Sequence, residues 1–230
     1  MTPYADILRL SPLFASLSDY DTEALLACLS ATERTYPKGA FILREGDTTQ
    51  NMGLLLQGRA TVMREDFWGR RDILSILSPP SLFAETFACL PGRRMTVSVI
   101  ANEDSRVLWL SLDGALSECG RPNGSYQAVF RRNLVLALAE KNTLLNEKLL
   151  HLSRRSTREK LLSLLSQEAK KQGSLTFTLP FDRQQMADYL SVDRSALSQT
   201  LSLMQKDGLI RFHKNKFTLL ESGRNVLSAK

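Results

Sequence analysis

A long segment without helix breakers constrains this chain more than any other feature of its sequence. Residues 125–152 contain neither proline nor glycine, and a stripe of residues recurs in them at alternating spacings of three and four. This pattern predicts one long helix with a heptad seam. The seam residues are Val135, Leu138, Asn142, Leu145, Leu149 and Leu152. Because a lone asparagine in such a seam favours a coiled coil of two helices, we expect a dimerisation helix. The alternative is a helix that covers only the core of its own chain.

The residues before this helix alternate between short β-prone runs and turn signals. Sequences such as Pro37-Lys38-Gly39 and Glu45-Gly46-Asp47 supply the turns. Many short strands at regular spacing are typical of an antiparallel β-roll of the jelly-roll type. The predicted strands are Ala40–Leu43, Gly53–Gln57, Ala60–Arg64, Asp72–Leu77, Thr96–Ile100 and Arg106–Leu110. We expect a helical stretch through about Leu29 before them and a break at Pro122-Asn123-Gly124 after them.

The residues after the long helix predict helices, a turn and a hairpin. The predicted helix starts are Ser156 with Glu159, Asp182 with Gln185, and Asp193. The first two pairs have capping-box spacing. Residues 209–220 form a hairpin around a basic tip, so the whole set predicts a winged helix-turn-helix. The expected fold is therefore α+β in three parts: a β-roll at 1–124, a dimerisation helix at 125–152 and a winged helix-turn-helix at 153–230.

Positive charge is concentrated in the last of these parts. Residues 1–152 carry 16 Lys and Arg against 17 Asp and Glu, whereas residues 153–230 carry 14 against 7. A basic module attracts a polyanion, and the helix after Asp193 leaves polar residues outward at the end that enters the major groove in helix-turn-helix proteins. Arginine can bind guanine and glutamine adenine, while serine suits phosphates or base edges. The predicted DNA-contacting residues are Arg183, Gln184, Arg194, Ser195, Ser198, Gln199, His213, Lys214 and Lys216.

Several classes of protein are disfavoured by what the sequence lacks. The longest apolar run, Leu134–Ala139, is far short of the roughly 18 residues that span a bilayer, and the N-terminus has no signal-peptide layout. We expect a cytoplasmic protein without a membrane partner. The three distant cysteines, Cys28, Cys89 and Cys119, predict neither a disulfide framework nor a zinc site. The sequence contains no Walker loop or HExxH motif and no Ser/His/Asp set, so we expect no enzyme.

The motifs of both halves, in their order and spacing, resemble the Crp/Fnr family of bacterial transcription regulators over nearly the whole chain. They are Ser11-Pro12-Leu13-Phe14, Tyr36-Pro37-Lys38-Gly39, Glu45-Gly46-Asp47, Leu56-Gln57-Gly58-Arg59, Leu82-Phe83-Ala84-Glu85, Asp104-Ser105-Arg106-Val107-Leu108, Arg183–Leu190 and Asp193–Ser198. The resemblance implies a cyclic-nucleotide-binding-like roll and a homodimer that binds double-stranded DNA at a two-fold symmetric operator. It also implies RNA polymerase as a partner. By this resemblance, the base-contacting positions of the family fall on Arg194, Ser195 and Gln199, with Ser198 beside them. Many members carry arginine in place of Gln199, so the resemblance implies an operator that differs from the family consensus.

The sequence departs from the family pattern in the predicted ligand-binding segment of the roll, which we call the sensor segment. Members that bind cyclic AMP hold it with Gly-Glu and, ten residues on, Arg-Ser. Here Ala84 replaces the glycine, and Met95-Thr96 stands in place of Arg-Ser. Arg94 is one residue away, and a one-residue slip in a strand turns a side chain to the other face. We therefore expect an effector other than cyclic AMP. The expected effector-site residues are Phe83, Ala84, Glu85, Thr86, Arg94, Met95 and Thr96.

Two other cofactors of regulators of this kind are not expected. An iron–sulfur cluster needs four grouped cysteines, and this chain has three that are far apart. A His-ligated haem needs a histidine in the roll, but the only two histidines of the sequence, His151 and His213, lie outside it. Cys89 lies in the sensor segment and is either a redox thiol or an inert buried cysteine. Two alternatives to an effector-gated regulator therefore stay open. One is a ligand-independent or redox-responsive DNA-binding regulator, and the other is a regulatory nucleotide-binding module of an enzyme.

Overall fold

The computed structural model describes residues 4–65, 68, 71–90, 92–117 and 125–220, with only the backbone of residues 71 and 72. The helices are α1 (Ala5–Leu10), α2 (Asp19–Cys28), α3 (Glu85–Ala88), α4 (Leu112–Leu116), α5 (Ser125–Leu152), α6 (Thr157–Gln172), α7 (Arg183–Leu190) and α8 (Arg194–Lys206). The strands are β1 (Thr32–Tyr36), β2 (Phe41–Leu43), β3 (Asn51–Gln57), β4 (Ala60–Glu65), β5 (Arg71–Leu77), β6 (Leu82–Phe83), β7 (Ser98–Ala101), β8 (Ser105–Ser111), β9 (Thr176–Thr178), β10 (Ile210–His213) and β11 (Lys216–Leu219). The chain forms two compact units, Met1–Ala139 and Glu140–Lys230, and α5 contributes to both.

Two antiparallel four-stranded sheets build the first unit. Their strand orders are β1-β8-β3-β6 and β2-β7-β4-β5. The central strand β3 is buried from Met52 to Leu56, because its two faces contribute to different cores. Leu54 packs with the helices, whereas Leu55 packs between the sheets with Val107 and Trp109. This architecture confirms the predicted antiparallel roll.

Helices cover the outer face of the first sheet. The stretch predicted to be helical through Leu29 is divided into α1, a 3-10 turn at Pro12–Phe14 and α2, because Pro12 cannot continue the first helix. The first half of α5 packs on the same core through Tyr126, Phe130 and Leu134, which are spaced by four and share one face. The Nδ2 atom of Asn133 donates hydrogen bonds to the carbonyls of Leu13, at 3.1 Å, and Ala15, at 2.9 Å.

The second unit is a winged helix-turn-helix. Both predicted capping boxes are present, at Ser156 with Glu159 and at Asp182 with Gln185. The hairpin of β10 and β11 pairs with β9 to form a three-stranded antiparallel sheet. A single core joins the sheet to the three helices, and its fully buried members include Met186, Leu201 and Phe217.

One expectation about the cysteines is wrong, and some others lie outside the described residues. Cys28 takes part in a disulfide, although the cysteine spacing predicted none. Such a bond requires proximity in space, which the large separation of the cysteines in sequence did not indicate. Cys119, the break at 122–124 and most of the turn around Trp68 lie outside the described residues. Among those that are described, no helix has the length and apolar character that crossing a membrane requires.

Candidate nucleic-acid interface and ligand site

The start of α8 presents the polar face that the sequence predicted. Arg194, Ser195, Ser198 and Gln199 are all exposed, and they directly follow the N-cap residue Asp193. The Asp193 carboxylate accepts hydrogen bonds from the backbone N–H groups of Ser195, at 2.8 Å, and Ala196, at 3.0 Å. The hydrogen bond from the Ser195 hydroxyl, followed by these two backbone bonds, lowers the pKa of Asp193. The cap therefore holds the first turn of α8 while leaving its outward face open.

The two serines of this face already use their hydroxyl protons. The Ser195 hydroxyl donates to the Asp193 carboxylate, and the Ser198 hydroxyl donates to the Arg194 carbonyl at 2.9 Å. A hydroxyl whose proton is engaged presents only lone pairs to a partner. In this arrangement the two serine hydroxyls are left with acceptor capacity only, so a partner must offer them a donor.

The wing tip carries the predicted basic residues. His213, Lys214 and Lys216 are exposed, and Lys214 adopts a left-handed φ of 54° in the turn between β10 and β11. The backbone N–H of Phe212 donates to Oε1 of Gln205 at 3.3 Å, which ties β10 to α8. The sequence did not single out Gln205, because its role depends on a strand that folds back from later in the chain.

The two predicted DNA-contacting residues at the start of α7, Arg183 and Gln184, have different surroundings. The guanidinium carbon of Arg183 lies 4.8 Å from the ring centroid of Phe212 and 5.3 Å from that of Phe217. Arg183 is therefore half-buried against the wing, and burial lowers the pKa of its guanidinium. The neighbouring Gln184 is exposed and donates to Oδ1 of Asp188 at 2.8 Å. The sequence offered one indication of the contact of Arg183, because each strand of the wing carries a phenylalanine, Phe212 or Phe217.

The expected effector segment is split between the interior and the surface of the roll. Phe83 and Glu85 are buried, Ala84 is half-buried and Thr86 is exposed. Ala84 begins α3 with φ 61° and ψ 4°, the left-handed conformation that glycine adopts without strain. The Phe83 ring meets Trp109 edge to face, with centroids 5.7 Å apart. The position where the family has glycine thus keeps the backbone conformation that glycine suits.

Met95 and its neighbours also point to different sides. Met95 is only 2% exposed and belongs to the core between the sheets, whereas Arg94 and Thr96 are exposed. The Nη1 atom of Arg94 donates to the Gly46 carbonyl at 3.0 Å. An apolar thioether therefore occupies the interior position, and the guanidinium bonds to a turn at the surface.

Cys89 lacks the surroundings of a reactive thiol. Its thiol is free and half-buried. Burial, followed by the negative charge of Glu85, raises its pKa. A raised pKa leaves less of the nucleophilic thiolate at neutral pH. Among the described residues, no group of three His, Cys, Asp or Glu side chains could hold a metal ion.

The predicted seam of α5 is exposed over most of its length. Val135, Leu145 and Leu149 have exposures of 63%, 62% and 62%. Asn142 is also exposed, and its Oδ1 accepts from Nδ2 of Asn146 at 3.0 Å. Leu138 differs, because it is half-buried and packs on the core of the first unit, as the alternative of a helix that covers its own chain predicts. Leu152, at the end of the seam, is half-buried.

A buried histidine near the end of α5 was not assigned a role from the sequence. His151 is 2% exposed, and its Nδ1 lies 2.8 Å from the hydroxyl of Ser163 in α6. Its ring lies 6.1 Å from that of Tyr189 in α7. Burial lowers the pKa of His151, and Arg154 adds to this, whereas Glu147 and Glu168 oppose it. The imidazole is thus part of the packing between α5, α6 and α7.

Comparison with known proteins agrees with this architecture in both units. Residues 33–120 match the cyclic nucleotide-binding domain, and residues 148–223 match the Crp-like helix-turn-helix domain. The transcriptional activator protein FnrL of Cereibacter sphaeroides is 26% identical over 203 residues, which cover 84% of this chain and 78% of the relative. The cyclic AMP receptor protein of Thermus thermophilus is 26% identical over 211 residues, which cover 87% and 88% of the two chains.

Solved structures share the fold. The catabolite activator protein of Thermus thermophilus has a TM-score of 0.51 and 22% identity, and the match covers 95% of this chain and 97% of that one. The OCPA complex of CprK has a TM-score of 0.61 and 15% identity, with 88% and 93% covered. Together the two matched domains span most of the chain, in the order that the sequence motifs predicted. The chain therefore belongs to the Crp/Fnr family of transcription regulators.

Proposed function

We propose that this regulator binds double-stranded DNA as a homodimer and reads a two-fold symmetric operator with the start of α8. The observation that carries the proposal is the exposed polar face of Arg194, Ser195, Ser198 and Gln199, directly after the helix cap. This end of a recognition helix enters the major groove. Arg194 has the donors that guanine O6 and N7 accept, and Gln199 has the donor and acceptor that match adenine N7 and N6.

The wing supplies the sequence-independent part of the proposed binding. Lys214 and Lys216 lie at the exposed tip and carry only donors, which suits phosphate oxygens. Contacts of this kind position a protein on the duplex without reading its sequence. His213 in the wing and Gln184 in α7 also lie at the surface, and they contribute polar contacts to the sugar–phosphate backbone of the DNA. RNA polymerase is the further partner, which the name of the relative FnrL, a transcriptional activator, supports.

The exposed seam of α5 supports the homodimer. Leaving Val135, Leu145 and Leu149 in water is unfavourable, and pairing with a second copy of the helix removes them from it. A two-fold dimer presents two α8 helices. Its half-sites lie one or more helical turns of DNA apart, about 34–36 Å per turn.

Selection from a random duplex pool tests the DNA-reading surface. We expect enriched sequences to contain two inverted half-sites. Arg194→Ala should cost roughly 1–3 kcal/mol and relax the preference at one base pair of each half-site. Lys214→Ala should weaken binding to all sequences equally. It should also reduce, by about one, the steepness with which the logarithm of the binding constant falls with the logarithm of salt concentration. Lys206→Ala is the matched control, because this exposed lysine lies at the opposite end of α8. A single, asymmetric half-site contradicts the proposal.

We infer that the effector of the roll is not cyclic AMP. Met95 occupies the interior, and the guanidinium of the preceding residue, Arg94, bonds to the Gly46 carbonyl at the surface. The side chain of Met95 offers a phosphate no positive charge. Losing about 3 kcal/mol of charge-assisted bonding weakens affinity by roughly two orders of magnitude. The match of residues 33–120 to a cyclic nucleotide-binding domain supports a small-molecule effector of some kind.

Titration calorimetry with cyclic AMP tests this inference. We expect no saturable heat at micromolar concentrations from the unmodified protein. The double variant Ala84→Gly/Met95→Arg supplies the glycine and the guanidinium of the family pattern, and it should bind measurably if it folds. Micromolar binding by the unmodified protein would mean that Arg94 reaches the ligand.

A redox-responsive regulator is the second candidate, because Cys28 takes part in a disulfide at the end of α2. Its Sγ lies 3.9 Å from the hydroxyl of Tyr126, in the first turn of α5. Reduction would change the packing at the start of the helix that carries the seam. If redox state controls DNA binding, dithiothreitol should alter the affinity of the wild type and leave that of Cys28→Ser unchanged. Equal affinities with and without dithiothreitol dismiss this candidate.

A further inference from the structure

The guanidinium of Arg183 in α7 lies over two aromatic rings of the wing, Phe212 and Phe217. Phe212 and Phe217 are cross-strand partners in β10 and β11, with ring centroids 5.8 Å apart and planes 30° apart. Phe217 is fully buried and also stacks on Phe177 of β9 at 6.3 Å. The guanidinium of Arg183 covers the outer part of this stack, at 4.8 Å from the Phe212 centroid. Arginine stacks on aromatic faces through its planar, weakly hydrated guanidinium.

This stack lies at the base of the wing. Phe212 and Phe217 directly flank His213–Lys216, which contains the wing turn and its two lysines. Besides the pairing of β11 with β9, one contact from each of two helices holds the base from outside the hairpin. Arg183 of α7 covers the rings, and Gln205 of α8 accepts from the Phe212 backbone. A side chain of α7 therefore contributes to the position of the wing tip, together with the two hydrogen bonds that join Asn215 of the turn to Leu179.

We propose that Arg183 is a positioning residue that acts through the Phe212–Phe217 stack to place Lys214 and Lys216 against the DNA backbone. The proposal deepens the proposed function and rests on it. A direct bond from Arg183 to a phosphate is the competing role. The half-burial of Arg183 over the rings favours positioning, because it fixes the side chain against the base of the wing without DNA.

The first test needs no DNA. In the full-length protein, amide hydrogen exchange of residues 210–219 reports how firmly the wing is held. We expect faster exchange there in Arg183→Gln, and also in Arg183→Lys, because lysine keeps the charge but lacks the planar stack. Gln184→Ala is the matched control, since this neighbour is exposed and bonds within α7. Unchanged exchange in both Arg183 variants overturns the proposal.

A double-mutant cycle with a selected duplex provides the second test. If Arg183 positions the tip, the loss of affinity caused by Lys214→Ala should shrink in the Arg183→Gln background by more than about twofold, the limit within which independent sites are additive. Arg183→Lys should behave like Arg183→Gln. The proposal is overturned if the affinity losses of Lys214→Ala and Arg183→Gln are additive and Arg183→Lys binds the duplex as tightly as the wild type. That result would mean that Arg183 contacts a phosphate directly. If the wild type binds no duplex at all, the proposed function fails, and the exchange experiment still decides whether Arg183 holds the wing.

Discussion

Two adjacent leucines of α5 allow a strict test of the dimer seam. Leu149 and Leu150 are exposed by 62% and 61%, so they expose nearly equal fractions of apolar side chain. Successive residues of a helix lie about 100° apart, and only Leu149 belongs to the stripe with Asn142 and Leu145. Leu149→Ala should therefore weaken the dimer, whereas Leu150→Ala should not.

The exposure of Leu149 sets the expected size of the effect. Fully burying a leucine side chain is worth about 1.5–3 kcal/mol, and the 62% still exposed in one chain leaves roughly 1–2 kcal/mol to be gained on pairing. Each dimer contains two copies, so Leu149→Ala should cost about 2–4 kcal/mol. Since 1.4 kcal/mol is tenfold, the dissociation constant of the dimer should rise roughly 30- to 700-fold.

Sedimentation equilibrium from nanomolar to micromolar protein measures this constant. Leu150→Ala should remain within about twofold of the wild type. Equal weakening by both variants would show that general hydrophobicity, and not a heptad seam, drives association. No weakening by Leu149→Ala would mean that the two chains pair through another surface, and the assignment of α5 would be wrong.

Three other predictions concern stability and reactivity within one chain. Ala84→Gly should raise the free energy of unfolding by about 0.5–1 kcal/mol, as measured by urea titration. The glycine relieves roughly 1–2 kcal/mol of left-handed backbone strain, and this gain exceeds the cost of the larger conformational entropy that glycine gives the unfolded chain. A decrease in the free energy of unfolding would contradict this. Burial holds the pKa of His151 below its ordinary value of 6.5, so as pH falls below that value the unfolded state takes up the proton first and stability declines. His151→Gln should reduce this decline between pH 7 and pH 5.5, and an unchanged slope would refute it. Cys89, whose pKa is raised, should react with a thiol reagent more slowly than an unhindered thiol, and equal rates would show that it is accessible as thiolate.

Interactions between residues close in sequence were predictable from the sequence. The capping boxes at Ser156 and Asp182 and the bounds of α5 agree with their patterns, because each depends on neighbours three or four residues away. The exposed face of α8 follows from the same periodicity. The polar edge strand Thr32–Tyr36 and the two-residue strand Leu82–Phe83 were not predicted, because their stability comes from pairing with β8 and β3 and not from an apolar pattern of their own.

The sequence by itself therefore determined the family, the order of the parts and the outward face of the reading helix, since these depend on local periods, caps and turn residues. Only the tertiary structure decided which way single side chains of the sites point. It turned Arg183 onto the wing rings, packed Leu138 on the core of its own chain and placed Met95 inside the roll. Each of these contacts joins elements that are distant in sequence, so packing against partners outside the local segment set the outcome.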